Sequence, residues 1–356
     1  MAALASLLMV CCLSLNGQGN LPRGPHSVGF RSYFKYDSGR PILIAIWYPA
    51  TPAPTRMKYR DYLDIPHTKE LGEFALGLRK YSETIAKETV FHKKVELIGR
   101  ADQSFVDRQL ERPSQAYRDA PATAGHFPVI INHPGAGGSF DDNVLLFEYL
   151  ASHGYVVISS AYQTSTAYVS NNMNGTHRSI RDMQFLLQAV GELPYADIHK
   201  IAGLGHSAGA QILMQWIGQP DCLLDALVSL DTTLEYTPRN FPGHKELRLK
   251  LESLGRPSIP VILFASAERK PNFGTFDTYL QNAPRYQVSI PHLKHDDFIS
   301  QGAARALLPD PAENVGRSYD VVCSTIKLFL DSTLKSSASA TAALKASPAV
   351  RYRPPR

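Results

Sequence analysis

Unbroken runs of apolar residues recur along the chain and alternate with segments of helical periodicity. The runs predicted to be strands are residues 40–50, 127–138, 155–162, 200–206, 226–231, 260–268 and 285–291. Such runs are typical of parallel strands that are buried on both faces of a sheet. The segments between them, among them DNVLLFEYLASHG and SIRDMQFLLQAVGEL, place apolar residues at helical spacing. This alternation predicts a doubly wound α/β fold with a mostly parallel sheet.

Two segments interrupt the alternation and a third follows it. Residues 56–122 are charged and helix-prone, and so long an insertion between strands predicts a helical cap rather than a second domain. Residues 233–256 form a shorter excursion of the same kind. From residue 336 onward the chain is rich in Ala, Ser and Pro, which predicts a disordered tail over 336–356. The rest, residues 20–335, is expected to be a single domain.

The N-terminal residues 1–19 contain an apolar run that is too short to span a bilayer. This pattern predicts a signal peptide and hence a secreted or periplasmic protein with no transmembrane segment. After its removal Cys222 and Cys323 would remain, enough for one disulfide but not for a disulfide scaffold or a zinc site. Asn174 begins an Asn-Gly-Thr sequon and is a candidate glycosylation site if the chain enters a eukaryotic secretory pathway.

The formal net charge of +5 is concentrated at the C-terminus. The cations that follow the last acidic residue are Lys335, Lys345, Arg351, Arg353 and Arg356. The preceding chain is therefore close to neutral, whereas a nucleic-acid-binding surface needs Lys and Arg clustered on the folded domain. Nucleic acid is not an expected partner.

A glycine-rich junction between a strand and a helix carries the main candidate chemistry. The segment GLGHSAGA places Ser207 in a G-x-S-x-G pattern after an apolar strand and before an apolar helix. A serine on such a turn projects its hydroxyl above the carboxyl edge of the sheet. The N-terminus of the following helix favours developing negative charge. Ser207 is therefore the predicted nucleophile, and the adjacent His206 is expected to be structural.

A serine nucleophile needs a base, and three downstream histidines are candidates. Enzymes with this turn place the histidine on a loop after the last strand. His292 and His295 follow a predicted strand, whereas His244 lies in the 233–256 excursion. His295 is preferred because the DDF after it can start a helix that fixes its position, and His292 is the fallback.

Two acidic residues end strands downstream of the nucleophile. Asp231 ends ALVSLD, and Glu268 ends PVILFASAE. A carboxylate at the end of an apolar strand is costly to bury without a partner, and an imidazole N–H is a suitable one. Spacing alone ranks Asp231 ahead of Glu268, which is the fallback acid.

The oxyanion hole needs two backbone N–H groups. Ala208 follows the nucleophile and supplies the first. The second is expected from NHPGAGGS, where Pro134 has no N–H, so that Gly135 or Ala136 must donate. The loop contains neither of the nucleotide-binding glycine patterns, so nucleotide binding is not expected.

With these motifs the chain resembles the α/β-hydrolase superfamily, and more narrowly the dienelactone hydrolase-like group that contains the platelet-activating factor acetylhydrolases. The resemblance spans about residues 29–334. It rests on the segments AIWYPA, PVIINHPGAGGS, LASHGYVVISSAY, GLGHSAGA, SLDTT and KHDDF. The resemblance implies an α/β-hydrolase fold with Asp231 as the acid and His295 as the base.

The chain departs from this group at two positions. Dienelactone hydrolase uses a cysteine where this chain has Ser207. Pro134 stands where the acetylhydrolases usually have glycine, which shifts the expected oxyanion donor to Gly135. The hypothesis from the sequence is a serine carboxylic-ester hydrolase with a covalent acyl-enzyme, acting on short-chain acyl or phospholipid-type esters without metal or organic cofactor. The alternatives are a serine peptidase or amidase of the same fold and a catalytically inactive binding member.

Overall fold

The computed structural model describes residues 21–65, 69–72, 76–77, 110–164, 167–168, 173–236, 242–300 and 313–356. The strands are β1 (Ser27–Asp37), β2 (Arg40–Ala50), β3 (Ala116–Arg118), β4 (Phe127–His133), β5 (Val156–Ser159), β6 (Gln163–Thr164), β7 (Ala167–Tyr168), β8 (Ala196–His206), β9 (Ala226–Leu230), β10 (Val261–Ser266), β11 (Arg285–Ile290) and β12 (Val350–Arg353). The α-helices are α1 (Tyr59–Tyr62), α2 (Val144–Ser152), α3 (Met173–Gly191), α4 (Ala208–Trp216), α5 (Pro242–Ser253), α6 (Glu313–Thr333) and α7 (Ala338–Ala346). Short 3₁₀ helices span Lys69–Leu71, Ala267–Arg269, Phe273–Phe276 and His295–Phe298.

Ten strands form one twisted sheet, in the order β12-β11-β10-β9-β8-β4-β5-β2-β1-β3. The central strands from β11 to β5 pair in parallel. The hairpin of β1 and β2 adds to β5 in antiparallel fashion, and β12 is antiparallel at the other edge. The predicted α/β fold with a mostly parallel sheet is thus confirmed.

Helices cover both faces of this sheet, which explains the unbroken apolar runs in the sequence. Neighbouring residues of β4 belong to different hydrophobic cores. Ile130 lies in the core that includes residues of α2 and α6, and Ile131 lies in the core that includes residues of α3 and α4. Trp47 lies in the first core and Trp216 in the second, and both are fully buried. Each face of a strand packs against helices. A strand in which polar and apolar residues alternate would therefore bury polar side chains in one of the two cores.

The segment predicted to form a cap begins and ends at the edge of the sheet. Lys58 bridges Pro113, and β3 then pairs with β1 in parallel. The Tyr62 ring packs edge-on against Phe30, and its hydroxyl donates to the buried carboxylate of Glu148 on α2 at 2.7 Å. These contacts attach both ends of the insertion to the domain. Most of the predicted cap lies outside the described residues, so its function as a lid stays a prediction.

The C-terminal tail predicted to be disordered is ordered, so that prediction was wrong. Residues 338–346 form α7, whose N-terminus is capped by the Ser337 hydroxyl oxygen, and β12 then adds a strand to β11. Alanine is the strongest helix former, and two buried side chains, those of Ala340 and Leu344, attach the helix to the core. The Ala/Ser/Pro-rich composition of this segment is therefore compatible with a helix that packs against the domain.

Both cysteines in the described part of the chain, Cys222 and Cys323, are free thiols. Burial raises the pKa of each, that of Cys222 to about 11, which makes both poor nucleophiles at neutral pH. Among the described residues, no helix combines the length and apolarity that crossing a bilayer requires. The predicted signal peptide at residues 1–19 lies outside the described residues and stays a prediction.

Candidate active site

The turn between β8 and α4 places Ser207 in a strained backbone conformation, with φ 53° and ψ −120°. A Cβ on Gly205 would lie 2.6 Å from the backbone nitrogen of Ala210. A Cβ on Gly209 would overlap the carbonyl oxygens of His133 and Pro134. Both glycines of the G-x-S-x-G pattern are therefore required by close backbone approach, and the positive φ is typical of a nucleophile turn.

A continuous chain of hydrogen bonds joins Ser207, His295 and Asp231. Nε2 of His295 lies 2.8 Å from Oγ of Ser207, and Nδ1 lies 2.5 Å from Oδ2 of Asp231. A carboxylate only accepts, so the imidazole carries its proton on Nδ1 and Nε2 accepts from the serine hydroxyl. This is the arrangement that activates a serine for nucleophilic attack.

Different elements deliver Asp231 and His295 to this edge of the sheet. Asp231 directly follows β9, and its side chain is completely buried. His295 opens the 3₁₀ helix after β11, where the side chain of Asp297 accepts from the N–H of Lys294 at 2.8 Å. Phe298 anchors that short helix in the core. The DDF segment therefore forms the short helix that carries His295.

The fallback acid and base lie together at the surface. The N–H of His292 donates to Oε1 of Glu268 at 2.5 Å, and both side chains are about half exposed. His244 lies within 3.4 Å of the Thr233 hydroxyl. Of the three candidate histidines, the structure brings His295 to Ser207.

The loop predicted to form the oxyanion hole lies directly against Ser207. A Cβ on Gly135 would be 3.2 Å from Cβ of Ser207 and 2.9 Å from Nδ1 of His206. A hydrogen bond from the N–H of Gly138 to the carbonyl of Gly135, at 3.0 Å, closes the loop into a turn. Ala208 is the first residue of α4, so its N–H has no acceptor within the helix. Gly135 and Ala208 thus flank the serine.

A buried histidine that the sequence did not single out supports this loop. Nδ1 of His133 lies 2.9 Å from the carbonyl oxygen of Pro134, and Nε2 lies 2.9 Å from the Ser179 hydroxyl. The ring stacks on Tyr162, with centroids 4.1 Å apart. Burial lowers the pKa of His133 to about 4, so the ring is neutral and its Nδ1–H donates to Pro134.

His206 contacts the loop that carries the base. Its Nε2–H donates to the backbone carbonyl of His295 at 2.9 Å, and the two rings are 4.7 Å apart. Burial, and then the charge of His295, lower the pKa of His206 to about 4. The neutral ring thus connects the nucleophile strand to the base, a supporting position compatible with the structural role predicted for it.

The second carboxylate oxygen of Asp231 also has a partner. The hydroxyl of Tyr236 donates to Oδ1 and accepts from the N–H of Ser266 at 2.5 Å. The guanidinium of Arg269 lies over the Tyr236 ring, 3.9 Å from its centroid. The sequence offered no signal for Tyr236, since an aromatic residue five positions after the acid has no characteristic pattern.

Comparisons with known proteins agree with this fold. The protein-family model described as chlorophyllase matches residues 89–232, less than half of the chain, and this stretch includes Gly135, Ser207 and Asp231 but not His295. A ferulic acid esterase from Streptomyces cinnamoneus superposes with a TM-score of 0.62 at 16% sequence identity, covering 95% of this chain and 99% of that one. A search of curated proteins found no significant match.

The chain therefore has the α/β-hydrolase fold, with the nucleophile turn and the histidine loop at the carboxyl edge of the sheet. The narrower resemblance to platelet-activating factor acetylhydrolases stays a prediction. Asn174 falls at the start of α3, but its side chain lies outside the described residues, so its glycosylation also stays a prediction. Within the described residues, no group of three or more His, Cys, Asp or Glu side chains forms a candidate metal site.

Proposed function

We propose that the protein is a serine carboxylic-ester hydrolase. The observation that carries the proposal is the hydrogen-bonded chain from Ser207 through His295 to Asp231, on a nucleophile turn beside the oxyanion loop. The fold shared with a ferulic acid esterase and the partial match to the chlorophyllase model support it. No cofactor is required, because the chain itself supplies nucleophile, base, acid and oxyanion donors.

In the first half-reaction, Oγ of Ser207 attacks the ester carbonyl carbon while its proton moves to Nε2 of His295. The carbonyl electron pair moves onto the oxygen, which the N–H groups of Ala208 and Gly135 stabilise. Asp231 stabilises the imidazolium and keeps its Nδ1–H directed away from the serine. The ester C–O bond then breaks, and the alcohol leaves with the proton from Nε2. An acyl group remains on Ser207.

In the second half-reaction, water takes the place of the alcohol. Nε2 of His295 accepts a proton from the water as its oxygen attacks the acyl carbonyl carbon. The same N–H groups hold the second oxyanion. The bond to Oγ breaks, and the proton returns from Nε2 to Ser207. The products are one carboxylic acid and one alcohol, and the enzyme is regenerated.

The proposed substrates are short-chain acyl or phospholipid-type esters. Esters of ferulic acid join them as a candidate class, since the structural neighbour carries that name. A panel of p-nitrophenyl acetate, p-nitrophenyl octanoate, methyl ferulate and a short-acyl phospholipid separates these classes. Matched fluorogenic amides in the same panel distinguish an esterase from a peptidase.

The test of the reaction is Ser207→Ala, with Ser324→Ala on α6 as a matched control. We expect Ser207→Ala to lower kcat/KM for p-nitrophenyl esters by about 10⁴-fold or more and to abolish covalent labelling by a fluorophosphonate. Ser324→Ala should keep both. If kcat/KM of Ser207→Ala stays within tenfold of the value for the unmodified chain, the mechanism through an acyl group on Ser207 is excluded. A folded protein whose Ser207 takes no label is an inactive binding member of the fold.

A further inference from the structure

Asp231 is a completely buried carboxylate that needs more partners than the proposed base provides. Its Oδ2 meets Nδ1 of His295 at 2.5 Å, but a hydrogen bond to one oxygen leaves the other to be satisfied. An unpaired buried carboxylate oxygen is costly, and the carboxylate group can rotate about its last bond when only one oxygen is held. The hydrogen-bond partner of Oδ1 therefore determines how strongly rotation of the carboxylate is restricted and how well Oδ2 stays on Nδ1 of His295.

That partner is Tyr236, and its hydroxyl is itself fixed. The Ser266 N–H, at the end of β10, donates to the phenolic oxygen at 2.5 Å. The oxygen therefore acts as acceptor on that side, and its single proton is directed to Oδ1 of Asp231. Burial, and then the charge of Asp231, raise the pKa of Tyr236, so the hydroxyl keeps this proton at neutral pH.

A competing cation lies close to the same carboxylate. Nη1 of Arg269 is 3.9 Å from Oδ2 of Asp231, and its guanidinium stacks on the Tyr236 ring. If Oδ1 lost its partner, the carboxylate could turn toward this half-exposed arginine and away from His295. The Tyr236 hydroxyl opposes that rotation because it is held by the backbone of Ser266.

We propose that Tyr236 is a positioning residue, which binds Oδ1 of Asp231 and thereby holds Oδ2 on Nδ1 of His295. The inference rests on the proposed function, since Tyr236 acts only through the acid and the base. It touches neither Ser207 nor the oxyanion loop in the described contacts. Its effect should therefore fall on kcat, while KM should change little.

The test is Tyr236→Phe, which removes one oxygen and keeps the ring under Arg269. We expect kcat for a short p-nitrophenyl ester to fall about tenfold, with KM within about twofold of the original value. Rates are expressed per site labelled by fluorophosphonate, so that misfolded molecules are not counted. The rate of fluorophosphonate labelling is measured for the same substitution with and without Asp231→Ala. We expect it to fall about tenfold in the original background and to change less than about twofold in the Asp231→Ala background.

Tyr155→Phe is a closely matched control elsewhere in the domain. The Tyr155 hydroxyl donates to Oδ1 of Asp331 at 2.7 Å, and Nζ of Lys335 lies 3.8 Å from the ring centroid. The combination of tyrosine, carboxylate and stacked cation is the same, but Tyr155 directly precedes β5 and so lies at the opposite edge of the sheet from Ser207. We expect Tyr155→Phe to lower the melting temperature and leave kcat unchanged.

Two outcomes overturn the inference while the proposed function stands. One is a Tyr236→Phe enzyme whose kcat stays within twofold, although Ser207 takes the label and Ser207→Ala is inactive. The other is an equal loss of rate with and without Asp231, because Tyr236 would then act independently of the acid. Failure of the proposed function has a different signature: Ser207 is unlabelled, or Ser207→Ala keeps its turnover.

Discussion

The side chain of His206 donates its Nε2–H to the backbone carbonyl of His295 at 2.9 Å. The residue before Ser207 on β8 therefore holds the loop that carries His295, although the two lie far apart in sequence. The Nδ1 side of the same ring faces Gly135 of the oxyanion loop. One buried, neutral imidazole thus lies between three parts of the site.

Replacing His206 should impair turnover. We expect His206→Ala to lower kcat about tenfold, because the carbonyl of His295 loses its donor and the loop can shift. His206→Gln should retain more activity, since an amide N–H reaches nearly the same point. Steady-state kinetics gives kcat for the two variants and for the control His199→Ala, which changes an exposed histidine. Equal activity of His206→Ala and His199→Ala contradicts the supporting role.

The sequence predicts those parts of the site that depend on local backbone geometry. Ser207 could be recognised because its turn needs glycine on both sides, and Asp231 because a carboxylate ends an unbroken apolar strand. The DDF segment, which forms the short 3₁₀ helix, favours His295 over His292 as the predicted base. The glycine loop at Gly135 followed from the same reasoning.

The supporting side chains could not be predicted, because tertiary packing alone assigns their partners. His133 and Tyr236 are an ordinary strand histidine and an ordinary loop tyrosine until the fold brings Pro134 and Asp231 to them. The composition of the tail gives a wrong prediction for a related reason. Its composition is that of a disordered segment, and the buried side chains of α7 distinguish a docked helix from a loose one.

Leu344 should therefore carry much of the stability of the C-terminal segment. We expect Leu344→Ala to lower the free energy of unfolding by about 2–4 kcal/mol, because its fully buried side chain leaves a cavity between α7 and the core. Leu249→Ala, which truncates an exposed leucine on α5, should cost about 0.5 kcal/mol or less. Urea unfolding measures the free energy of unfolding of both variants. A disordered tail would make the two variants equal.

The second glycine of the nucleophile turn should be intolerant of any side chain. We expect Gly209→Ala to destabilise the protein by about 2–3 kcal/mol and to lower activity sharply, since the new Cβ meets the carbonyls of His133 and Pro134. Gly72→Ala is the control, because open space surrounds that position within the described residues. Thermal unfolding and ester turnover are measured together. A fully active Gly209→Ala enzyme contradicts the close approach of the two loops.

A buried glutamate beside the acid should make stability depend on pH. Burial, and then the charge of Asp231, raise the pKa of Glu235 to about 8, from an ordinary value of 4.5. Its Oε2 accepts from the Thr232 hydroxyl at 2.8 Å, and its side chain is almost completely buried. The native state therefore holds a proton over the range from pH 4.5 to 8 that the unfolded state has released. The contribution of Glu235 to the free energy of unfolding therefore falls as the pH rises through that range.

Glu235→Gln should remove this loss, because the amide cannot ionise. From pH 5 to 8 we expect the original chain to lose roughly 3 kcal/mol more of its unfolding free energy than the variant does. Urea unfolding at both pH values measures the difference, with the exposed Glu252→Gln on α5 as the matched control. Glu148, whose pKa burial raises to about 7, contributes a loss of the same sign in both chains and so cancels in the comparison. Parallel losses in Glu235→Gln and Glu252→Gln would show that Glu235 ionises normally in the folded protein.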